Sequence, residues 1–591
     1  MDKYAFAPEQ YEKELKGIFQ ELAAVEEITE LYFHQILKRF PKDKKYLFSR
    51  DQLVRGYRYL VAQGFFEPAQ RIEKSIRMKP VRTLSGVATV TVLTRPFPCP
   101  GQCIFCPNDF RMPKSYLSDE PGAQRAEKNS FDPYFQTYNR LLALDNTGHS
   151  IEKIELIVLG GTWSFYPDEY QIWFIKRCFD ALNDYGVEDN RANVVTANNF
   201  AESDHNHTSK DQLAPYKKTY NAVITEMLST GGRSLVSEYE QATWNELESA
   251  HSRNEHATCR NVGLVIETRP DYITKQELIK IRRLGATKIQ IGIQSLNDNV
   301  LSMNKRGHDA QATKEAIKLI RLAGFKIHGH WMPNLYGSNV QKDIEDYQRL
   351  WEKDMSPDEL KVYPTSIISN TELYNVYQQG KYKPYTHDEL LEVLVATLPL
   401  TPRYCRLTRI VRDIPSPDIV AGNKLTNFRQ IAEQAIMQQG RKLQDIRARE
   451  IKSQEVTFDE LKLEVLNYPT CVGEEFFLSY TTKDTDQIAG FLRLCIPERS
   501  LSGSHFISEL SNTAIIREIH IYGQVLGIGK KAKGESQHLG LGTKLIEQAK
   551  ARARKKGFKE LAVISAIGTR EYYLKKGFIQ GNLYMRMKIT E

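Results

Sequence analysis

Residues 86–108 read GVATVTVLTRPFPCPGQCIFCPN, a β-type run followed by a loop that carries three cysteines. Cys99, Cys103 and Cys106 lie within eight residues whose other side chains are small, apolar or turn-forming. This C-x3-C-x2-C spacing lets three thiolates approach one face of an iron-sulfur cubane and leaves one iron without a protein ligand. The alternative is zinc, but a structural zinc site normally takes four protein ligands, and the closest downstream histidine, His149, is distant in sequence. The position directly after a strand favours the iron-sulfur cluster.

Outward from this loop, β-rich runs alternate with helical segments, which predicts an α/β fold with a mainly parallel sheet. The six candidate strands are GVATVTVLT, KIELIVLGG, VGLVIETRP, KIQIGIQS, FKIHGHWMP and ELKVYPT. The alternation predicts a partial or full β/α barrel over residues 81–400, with its chemistry at the carboxyl ends of the strands. A polar stretch at about 184–260, rich in Asn, His, Ser and Thr, is expected to be an insertion.

The cysteine loop, in this position, resembles that of radical S-adenosylmethionine enzymes. The resemblance implies a 4Fe-4S cluster on Cys99, Cys103 and Cys106, with S-adenosylmethionine on its open iron and cleavage of the sulfonium to a 5'-deoxyadenosyl radical. It also implies cofactor contacts by Phe105, Gly160 and Gly161. Glu267, Arg269 and Gln294 end later strands and so should face the same mouth, which makes them candidate cofactor contacts. Simpler explanations stay open, since paired glycines also form ordinary turns and the polar residues also form surface ion pairs.

Residues 401–455 are predicted to be a connector, with Pro402, Pro415 and Pro417 before a charged helix, and residues 456–591 a second α/β unit. In this unit the glycine-rich QHLGLG, residues 537–542, immediately precedes a helical run. Glycines there let backbone N–H groups turn toward a pyrophosphate at the positive end of the helix dipole. The order of strand, loop, helix, strand and helix argues against a dinucleotide-binding fold.

This segment resembles motif A of GNAT-type acetyltransferases, which implies acetyl-CoA as a ligand. The implied pyrophosphate contacts are Gln537, His538, Leu539, Gly540, Leu541, Gly542 and Thr543. Tyr572 and Tyr573 stand where that family often has a tyrosine at the thioester or the leaving thiolate. Adjacent helical residues point in different directions, so we expect one tyrosine to act and the other to pack in the core.

Residues 1–80 are predicted to be a helical basic segment. From Lys38 to Arg82 there are thirteen basic and four acidic residues, an excess of nine that surpasses the net charge of +8 of the whole chain. Aromatic residues lie among them, so rings that stack on bases stand beside cations that bind phosphates. A solvated basic helical face is an equal alternative. The predicted RNA contacts are Lys38, Arg39, Lys44, Lys45, Arg55, Arg58, Arg77, Lys79 and Arg82.

Composition excludes several classes of protein. The 591 residues suffice for three or more folded units. Eight cysteines, mostly isolated outside the loop, argue against a disulfide framework and for a reducing compartment. The sequence shows neither an apolar leader nor an apolar run long enough to span a membrane, so we expect a cytoplasmic protein without membrane contact.

From about Lys79 onward, ordered stretches resemble the family of Elongator catalytic subunits. These are KPVRTLSGVATVTVLTRP (79–96), SIEKIELIVLGGT (150–162), NVGLVIETRPD (261–271), IQIGIQS (289–295), HWMPNLYG (330–337), LKVYPT (360–365), VRDIP (411–415) and REIHIYG (517–523). The resemblance implies a tRNA carboxymethyluridine synthase that acts on carbon 5 of the wobble uridine. In such enzymes a radical takes a hydrogen from the methyl group of acetyl-CoA, the resulting carbon radical adds to the uridine, and the thioester is hydrolysed.

The same resemblance implies the partners and one further catalytic residue. The anticodon stem-loop of tRNA would be the substrate, and an electron donor would serve the cluster; accessory subunits cannot be inferred. His330 matches the family's histidine at the barrel mouth, whereas His328 on the same strand is expected to be a core histidine. Relatives often carry zinc in the connector, but the corresponding KLQDIRARE and GNKLTNFRQ contain neither Cys nor His, so no connector zinc is expected.

Two other functions stay open at this point. A protein lysine acetyltransferase with a structural iron-sulfur barrel would transfer acetyl groups even without the cysteines. An RNA-binding subunit with a structural cluster would bind tRNA without cleaving S-adenosylmethionine.

Overall fold

The computed structural model describes residues 6–79, 83, 85–187, 219–229, 236–452, 454, 456–522 and 540–589. The predicted contacts Arg82, Gln537, His538 and Leu539 lie outside the described residues, as do residues 188–218 of the predicted insertion. None of the described helices has the length and apolar character of a membrane-spanning segment.

The N-terminal residues form a helical unit with a core of its own. Apolar residues at three- and four-residue spacing bury one face of the first helix, and Leu15, Ile18 and Phe19 there are fully buried. Thr29 caps the second helix by accepting a hydrogen bond from the backbone N–H of Tyr32. The four helices are Glu12–Ala23, Glu30–Arg39, Arg50–Ala62 and Gln70–Ile76.

Seven strands form one parallel sheet. They are β1 (Ala88–Leu93), β2 (Lys153–Leu159), β3 (Arg260–Thr268), β4 (Lys288–Gln294), β5 (Lys326–Trp331), β6 (Glu359–Val362) and, after an intervening short strand β7 (Ile367–Ile368), β8 (Arg406–Ile410). The sheet runs in this chain order, with β1 and β8 at its edges. It is therefore an open, partial barrel. Strand β7 pairs instead with β9 (Ile419–Ala421).

All six predicted strands lie in this sheet, but the seventh was missed. β8 falls in residues 401–455, which we expected to form a connector. Its five residues, RLTRI, carry Arg406 and Arg409, and the run is too short and too polar to be recognised as one of the β-rich runs. Part of the predicted insertion is also regular, because a helix at Trp244–Asn254 packs on the helix Asp168–Asp184.

Helices connect and cover the strands of the parallel sheet. They are Pro121–Lys128, Pro133–Asn146, Asp168–Asp184, Tyr220–Ser229, Trp244–Asn254, Lys275–Arg283, Asp298–Met303, Ala310–Leu322, Val340–Arg349, Glu372–Gln378, His387–Thr397, Phe428–Gln438 and Ile446–Arg449.

A second, mostly antiparallel sheet follows. Its strands are β10 (Leu461–Thr470), β11 (Gly473–Thr482), β12 (Ile488–Pro497), β13 (Thr513–Ile521), β14 (Glu560–Val563), β15 (Ile579–Gln580) and β16 (Met585–Lys588). The parallel pair β13 and β14 is in register only from Thr513 to Ile516, so the rest of β13 is open on that side. The helices of this unit are Arg499–Ser502, Leu541–Lys555 and Arg570–Leu574.

A buried ion network joins the two sheets. Arg517 of β13 donates to both oxygens of Asp358, at 2.8 and 2.6 Å, and to Glu475 of β11 at 2.7 Å. These three side chains are fully buried. Arg321 and Arg493 complete the network through Glu475 and Asp358, respectively. Because Asp358 directly precedes β6, the network holds the second sheet against the amino-terminal ends of the barrel strands.

Candidate functional site

The cysteine loop follows β1 at the carboxyl end of the parallel sheet. Cys99 and Cys103 are buried and Cys106 is half-buried. The Cys106 thiol donates to Cys103 and holds the pKa of Cys103 well below its usual range, with burial opposing and Arg306 assisting the shift. The same contact, together with burial, raises the pKa of Cys106. The loop thus already favours a thiolate.

Two buried arginines face the thiols. Arg306 Nη1 lies 3.5 Å from Cys103 Sγ, and its Nη2 donates to the carbonyl of Gly292 at 2.7 Å. Arg269 forms two hydrogen bonds with Asp271, both at 2.9 Å, while its buried Nη1 has no hydrogen-bond partner among the described residues. A Cβ at Gly101 of the loop would lie 2.4 Å from that same Nη1, so the loop closely approaches the guanidinium.

This donor set fits an iron-sulfur cluster. Three thiols on one buried loop are the soft ligands such a cluster takes, and buried cations beside them suit its negative charge. Within the described ranges, no three His, Cys, Asp or Glu side chains, the three thiols included, are placed to bind one single metal ion together. In a cubane each thiolate binds a different iron. His149, the distant histidine considered for zinc, instead places its Nδ1 2.9 Å from Thr83 Oγ1.

The ends of β2 and β4 reach the same mouth. Gly160 has φ +149°, and a Cβ there would lie 1.8 Å from Thr94 Oγ1, so only glycine is compatible with this turn. A Cβ at Gly161 would meet nothing closer than 3.5 Å. Gln294 has φ +66°, unusual for a residue other than glycine, and in the part of the chain that the structure describes its buried Oε1 has no hydrogen-bond partner. Strain and an unused acceptor at a strand end are features of ligand sites.

Polar side chains from four neighbouring strands form a row across the barrel, which we call the polar row: Glu267 of β3, Gln290 of β4, His330 of β5 and Lys361 of β6. Gln290 Oε1 accepts from Lys361 at 2.6 Å and lies 3.0 Å from His330 Nε2. Burial, and next the charge of Lys361, lower the pKa of His330 well below 6.5. His330 is therefore neutral, with Nε2–H directed at Gln290. Glu267 Oε1 lies 3.8 Å from His330 Nδ1.

Sequence reasoning missed Gln290, Lys361 and Arg306. The first two are polar residues at alternate positions of otherwise apolar strands, a pattern that marks side chains facing into a barrel. Arg306 follows a helix outside every motif, and nothing in its neighbourhood in the sequence connects it with Cys103. His328, expected to be a core histidine, is buried, with Nε2 2.8 Å from Thr408 Oγ1.

The second site is at the amino-terminal end of the helix Leu541–Lys555. Gly540 caps the helix in the left-handed conformation, with φ 67°. A Cβ at Gly542 would lie 2.5 Å from Tyr572 Oη, so the tyrosine hydroxyl stands directly over the first turn. Thr543 Oγ1 accepts from Lys576 at 2.6 Å, and the Leu541 side chain is buried in the core. The backbone N–H groups in the first turn of a helix have no partner within the helix, so this end suits a phosphate.

The two predicted tyrosines differ in exposure. Tyr572 is 38% exposed, while Tyr573 is 5% exposed and packs against Phe578 with ring centroids 5.5 Å apart. Burial raises the pKa of both phenols. Tyr572 is therefore the hydroxyl that a ligand can reach, and it stays protonated near neutral pH.

One cavity of about 2250 Å³ connects the two sites. Phe105, Cys106 and Gln294 line it at the barrel mouth, and the whole polar row lines it farther in. The same cavity is lined by residues of the second unit, among them Tyr522, Gly540, Gly542, Thr543 and Tyr572. The open side of β13 contributes Glu518, Ile519, His520 and Ile521.

The basic N-terminal residues divide into two groups. Arg39 pairs with Glu21, Arg58 pairs with Asp145 at 2.8 Å, and Arg77 donates to the carbonyl of Gly148 at 2.9 Å, so these arginines tie helices together. Arg55 likewise donates to the carbonyl of Phe6 at 2.5 Å. The lysines of the predicted set are exposed: Lys38, Lys44, Lys45 and Lys79. Tyr46, beside Lys45, is 56% exposed.

Comparison with known proteins agrees with this architecture. The sequence model of the radical SAM superfamily matches residues 197–350, and that of the Radical_SAM C-terminal domain matches residues 357–438. The tRNA uridine(34) acetyltransferase of Methanocaldococcus jannaschii is 35% identical over 526 residues, covering 86% of each chain. Elongator complex protein 3 of Homo sapiens is 33% identical over 531 residues, covering 87% of this chain and 86% of the human protein.

A solved structure shows the same relation. The archaeal Methanocaldococcus infernus Elp3, with residues 1–46 deleted, matches at a TM-score of 0.63 and 30% identity, over 85% of this chain and 99% of that one. Both the sequence identity and the shared length exceed what a common fold alone would give. The chain therefore belongs to the family of tRNA uridine(34) acetyltransferases and Elongator complex protein 3, and its parallel sheet is a radical SAM domain joined to a GNAT-type C-terminal domain.

Proposed function

We propose that this protein modifies the wobble uridine of tRNA, placing a carboxymethyl group derived from acetyl-CoA on carbon 5. The observation that carries the proposal is the single cavity lined both by the cysteine loop and by the helix end under Tyr572. An enzyme that only acetylated amines would have no use for a cavity that reaches the cysteine loop at Phe105 and Cys106. An enzyme that joins an acetyl methyl carbon to a pyrimidine carbon needs both sites to reach one space.

The cysteine loop and the strand ends would hold the radical-generating cofactors. Cys99, Cys103 and Cys106 would bind the iron-sulfur cluster, and Arg306 would hydrogen-bond the sulfur of Cys103. The unpartnered Arg269 Nη1 and Gln294 Oε1 are available to S-adenosylmethionine. When bound, this pair of cofactors supplies a carbon-centred radical able to take a hydrogen atom from an unactivated methyl group.

The second site would hold the thioester. Backbone N–H groups from Gly540 to Thr543 would bind the pyrophosphate of acetyl-CoA at the positive end of the helix. The Tyr572 hydroxyl, held protonated by partial burial, would donate a proton to the thiolate that leaves when the thioester is hydrolysed. The walls of the cavity would exclude bulk water, which protects a reactive intermediate from side reactions.

The exposed N-terminal lysines would contact tRNA phosphates, while the arginines there hold the helices. Such contacts position an RNA without reading its sequence. We therefore place tRNA binding on Lys38, Lys44, Lys45 and Lys79 together with Tyr46.

The test is anaerobic reconstitution with iron and sulfide, followed by incubation with S-adenosylmethionine, acetyl-CoA, a reductant and bulk tRNA. Mass spectrometry of the digested nucleosides should show 5-carboxymethyluridine, absent when acetyl-CoA is omitted. Cys103→Ala should lose the cluster absorbance and the product while still binding acetyl-CoA. Gly542→Glu should keep the cluster and lose acetyl-CoA binding, because its side chain meets Tyr572 and its charge repels the pyrophosphate. Acetylated lysine with unmodified tRNA would instead favour a protein acetyltransferase.

A further inference from the structure

The polar row has hydrogen-bonding capacity that the protein leaves unused. The Lys361 ammonium has three donors, and its close hydrogen bond goes to Gln290 at 2.6 Å. Glu267 has room for about four hydrogen bonds, yet its nearest polar neighbours in the described part of the chain are Tyr116 Oη at 3.5 Å and His330 Nδ1 at 3.8 Å. A strong donor and a strong acceptor thus face the cavity from opposite ends of the row.

The nearby cations do not neutralise Glu267 directly. Arg412 is held by Glu120 at 2.6 Å, and Lys361 is held by Gln290. Both cations lower the pKa of Glu267, although burial outweighs them and the net shift is upward. Among the described residues Glu267 accepts one long hydrogen bond, from Tyr116 Oη at 3.5 Å, so most of its acceptor capacity is unused, which is costly for a half-buried group unless a ligand supplies a donor.

Aromatic rings border the row on two sides. Tyr116 carries Arg412 over its face at 5.0 Å, and Tyr363 lies 5.8 Å from the ring of His330. Both tyrosines line the cavity. Tyr116 follows Ser115, whose hydroxyl is 3.2 Å from Cys106 Sγ, so this part of the cavity directly adjoins the cysteine loop.

We propose that the polar row, with Tyr116 and Tyr363, is the pocket that receives the target uracil base, with Lys361 donating to a ring carbonyl and Glu267 accepting from N3–H. This inference rests on the proposed function and adds how the base is chosen. Bases turned out of an RNA loop are held by stacking on aromatic side chains and by hydrogen bonds along the Watson–Crick edge. Uracil presents a carbonyl, an N–H and a second carbonyl along that edge; Lys361 is a donor for a carbonyl, and Glu267 is an acceptor for the N–H.

Cytosine does not match, because its N3 is an acceptor and would face the Glu267 carboxylate. The acetyl thioester does not match either, because the acetyl group has one carbonyl and no N–H for Glu267. Glu267, which sequence reasoning assigned to cofactor binding, is on this account a base-reading residue, while Arg269 two positions later faces the thiols.

The experiment measures binding of short anticodon hairpins to the full chain with its cluster reconstituted, without reductant or S-adenosylmethionine, so that no turnover occurs. Three hairpins differ only at the target position: uridine, cytidine or 3-methyluridine, which lacks the N3–H. The wild-type protein should bind the uridine hairpin about tenfold or more tightly than the other two. Glu267→Gln should reduce the preference for uridine over cytidine to about threefold or less, because an amide can also donate to N3.

Controls separate a specific effect from a change of charge or a loss of folding. Glu433→Gln removes a carboxylate at the rim of the same cavity, where Glu433 pairs with Arg429, and should leave the uridine preference unchanged. Lys361→Met should weaken binding of the uridine hairpin and reduce the difference in affinity among the three hairpins. If Glu267→Gln fails to fold, Lys361→Met carries the test.

The outcomes are distinguishable from failure of the proposed function. A wild-type protein that binds none of the hairpins would contradict the proposed function itself. Equal binding of all three, or a uridine preference unchanged in both Glu267→Gln and Lys361→Met, would overturn the base pocket alone.

Discussion

Replacing Asp358 by Asn tests whether the buried ion network holds the two sheets together. Asp358 is fully buried and accepts two hydrogen bonds from Arg517, at 2.6 and 2.8 Å, and one from the backbone N–H of Ile327 at 2.8 Å. Asn keeps the size and one acceptor oxygen but removes the charge. Arg517 and Arg321 would then share Glu475 as their buried carboxylate, while Arg493 would keep its pair with Glu518 at 2.8 Å.

Breaking a buried ion pair by removing one partner costs about 3–5 kcal/mol, because the other charge stays buried without compensation. We expect Asp358→Asn to lower the free energy of unfolding by an amount in that range. The arginines hold the pKa of Asp358 below its usual range, although burial opposes them. An aspartate has a pKa of about 3.9 in the unfolded chain. When folding lowers that pKa, the carboxylate stabilises the folded protein above about pH 3.9, and this stabilisation is lost as the pH falls below that value. The difference in free energy of unfolding between the wild type and Asp358→Asn should therefore become smaller as the pH falls below about 4.

Urea unfolding measures the effect, with two probes. All five tryptophans, Trp163, Trp173, Trp244, Trp331 and Trp351, lie in the parallel-sheet unit, so their fluorescence reports that unit, whereas circular dichroism reports both. Asp354→Asn is the matched control, because Asp354 is 37% exposed and pairs with Lys314 at 3.3 Å; its effect should stay within about 0.5 kcal/mol. A loss for Asp358→Asn as small as the control's would refute this role for the network.

Three further substitutions address the site. Arg306→Met removes the donor to Cys103, so it should lower the iron bound per chain and make the cluster's reduction potential more negative; Lys305→Met, at a 52% exposed neighbour, should change neither. Gly160→Ala should destabilise the protein in thermal unfolding by more than Gly380→Ala, because both have positive φ but only Gly160 has an atom, Thr94 Oγ1, in the place of the new Cβ. Tyr572→Phe should slow thioester cleavage by about 10²-fold, while Tyr573→Phe, in the core, should leave the rate nearly unchanged; equal effects of the two would contradict the assignment of Tyr572.

Much of the fold follows from local pattern. The six β-rich runs of the barrel each have a strand's length and alternate with helices, so the parallel sheet could be predicted from the sequence. β8 could not, because a strand whose positions include Arg406 and Arg409 is defined by its partner β6 rather than by its own composition.

The candidate site, like the fold, could be predicted from the sequence only in part. The cysteines and glycines could be predicted because each group lies in one short segment, so the spacing along the chain determines how its members are placed in the site. Arg306 and Cys103 are 203 residues apart, and the Gln290–Lys361 contact joins residues 71 apart, so neither was visible before the strands were in register. Glu267 and Arg269 were both predicted to contact the cofactor, but β3 ends at Thr268 between them, so Glu267 lies in the polar row and Arg269 turns toward the thiols. The sequence does not reveal where the strand ends.

The shared cavity is the central claim, and isotope transfer tests it most directly. The reconstituted protein would be incubated with S-adenosylmethionine, reductant, tRNA and acetyl-CoA deuterated in its methyl group, and the released 5'-deoxyadenosine would be analysed by mass spectrometry. Deuterium in the deoxyadenosine is expected, and it should be lost in Gly542→Glu, because the methyl group and the radical must meet in one space. Deoxyadenosine without deuterium, formed while tRNA is modified, would show that the two sites do not share that space.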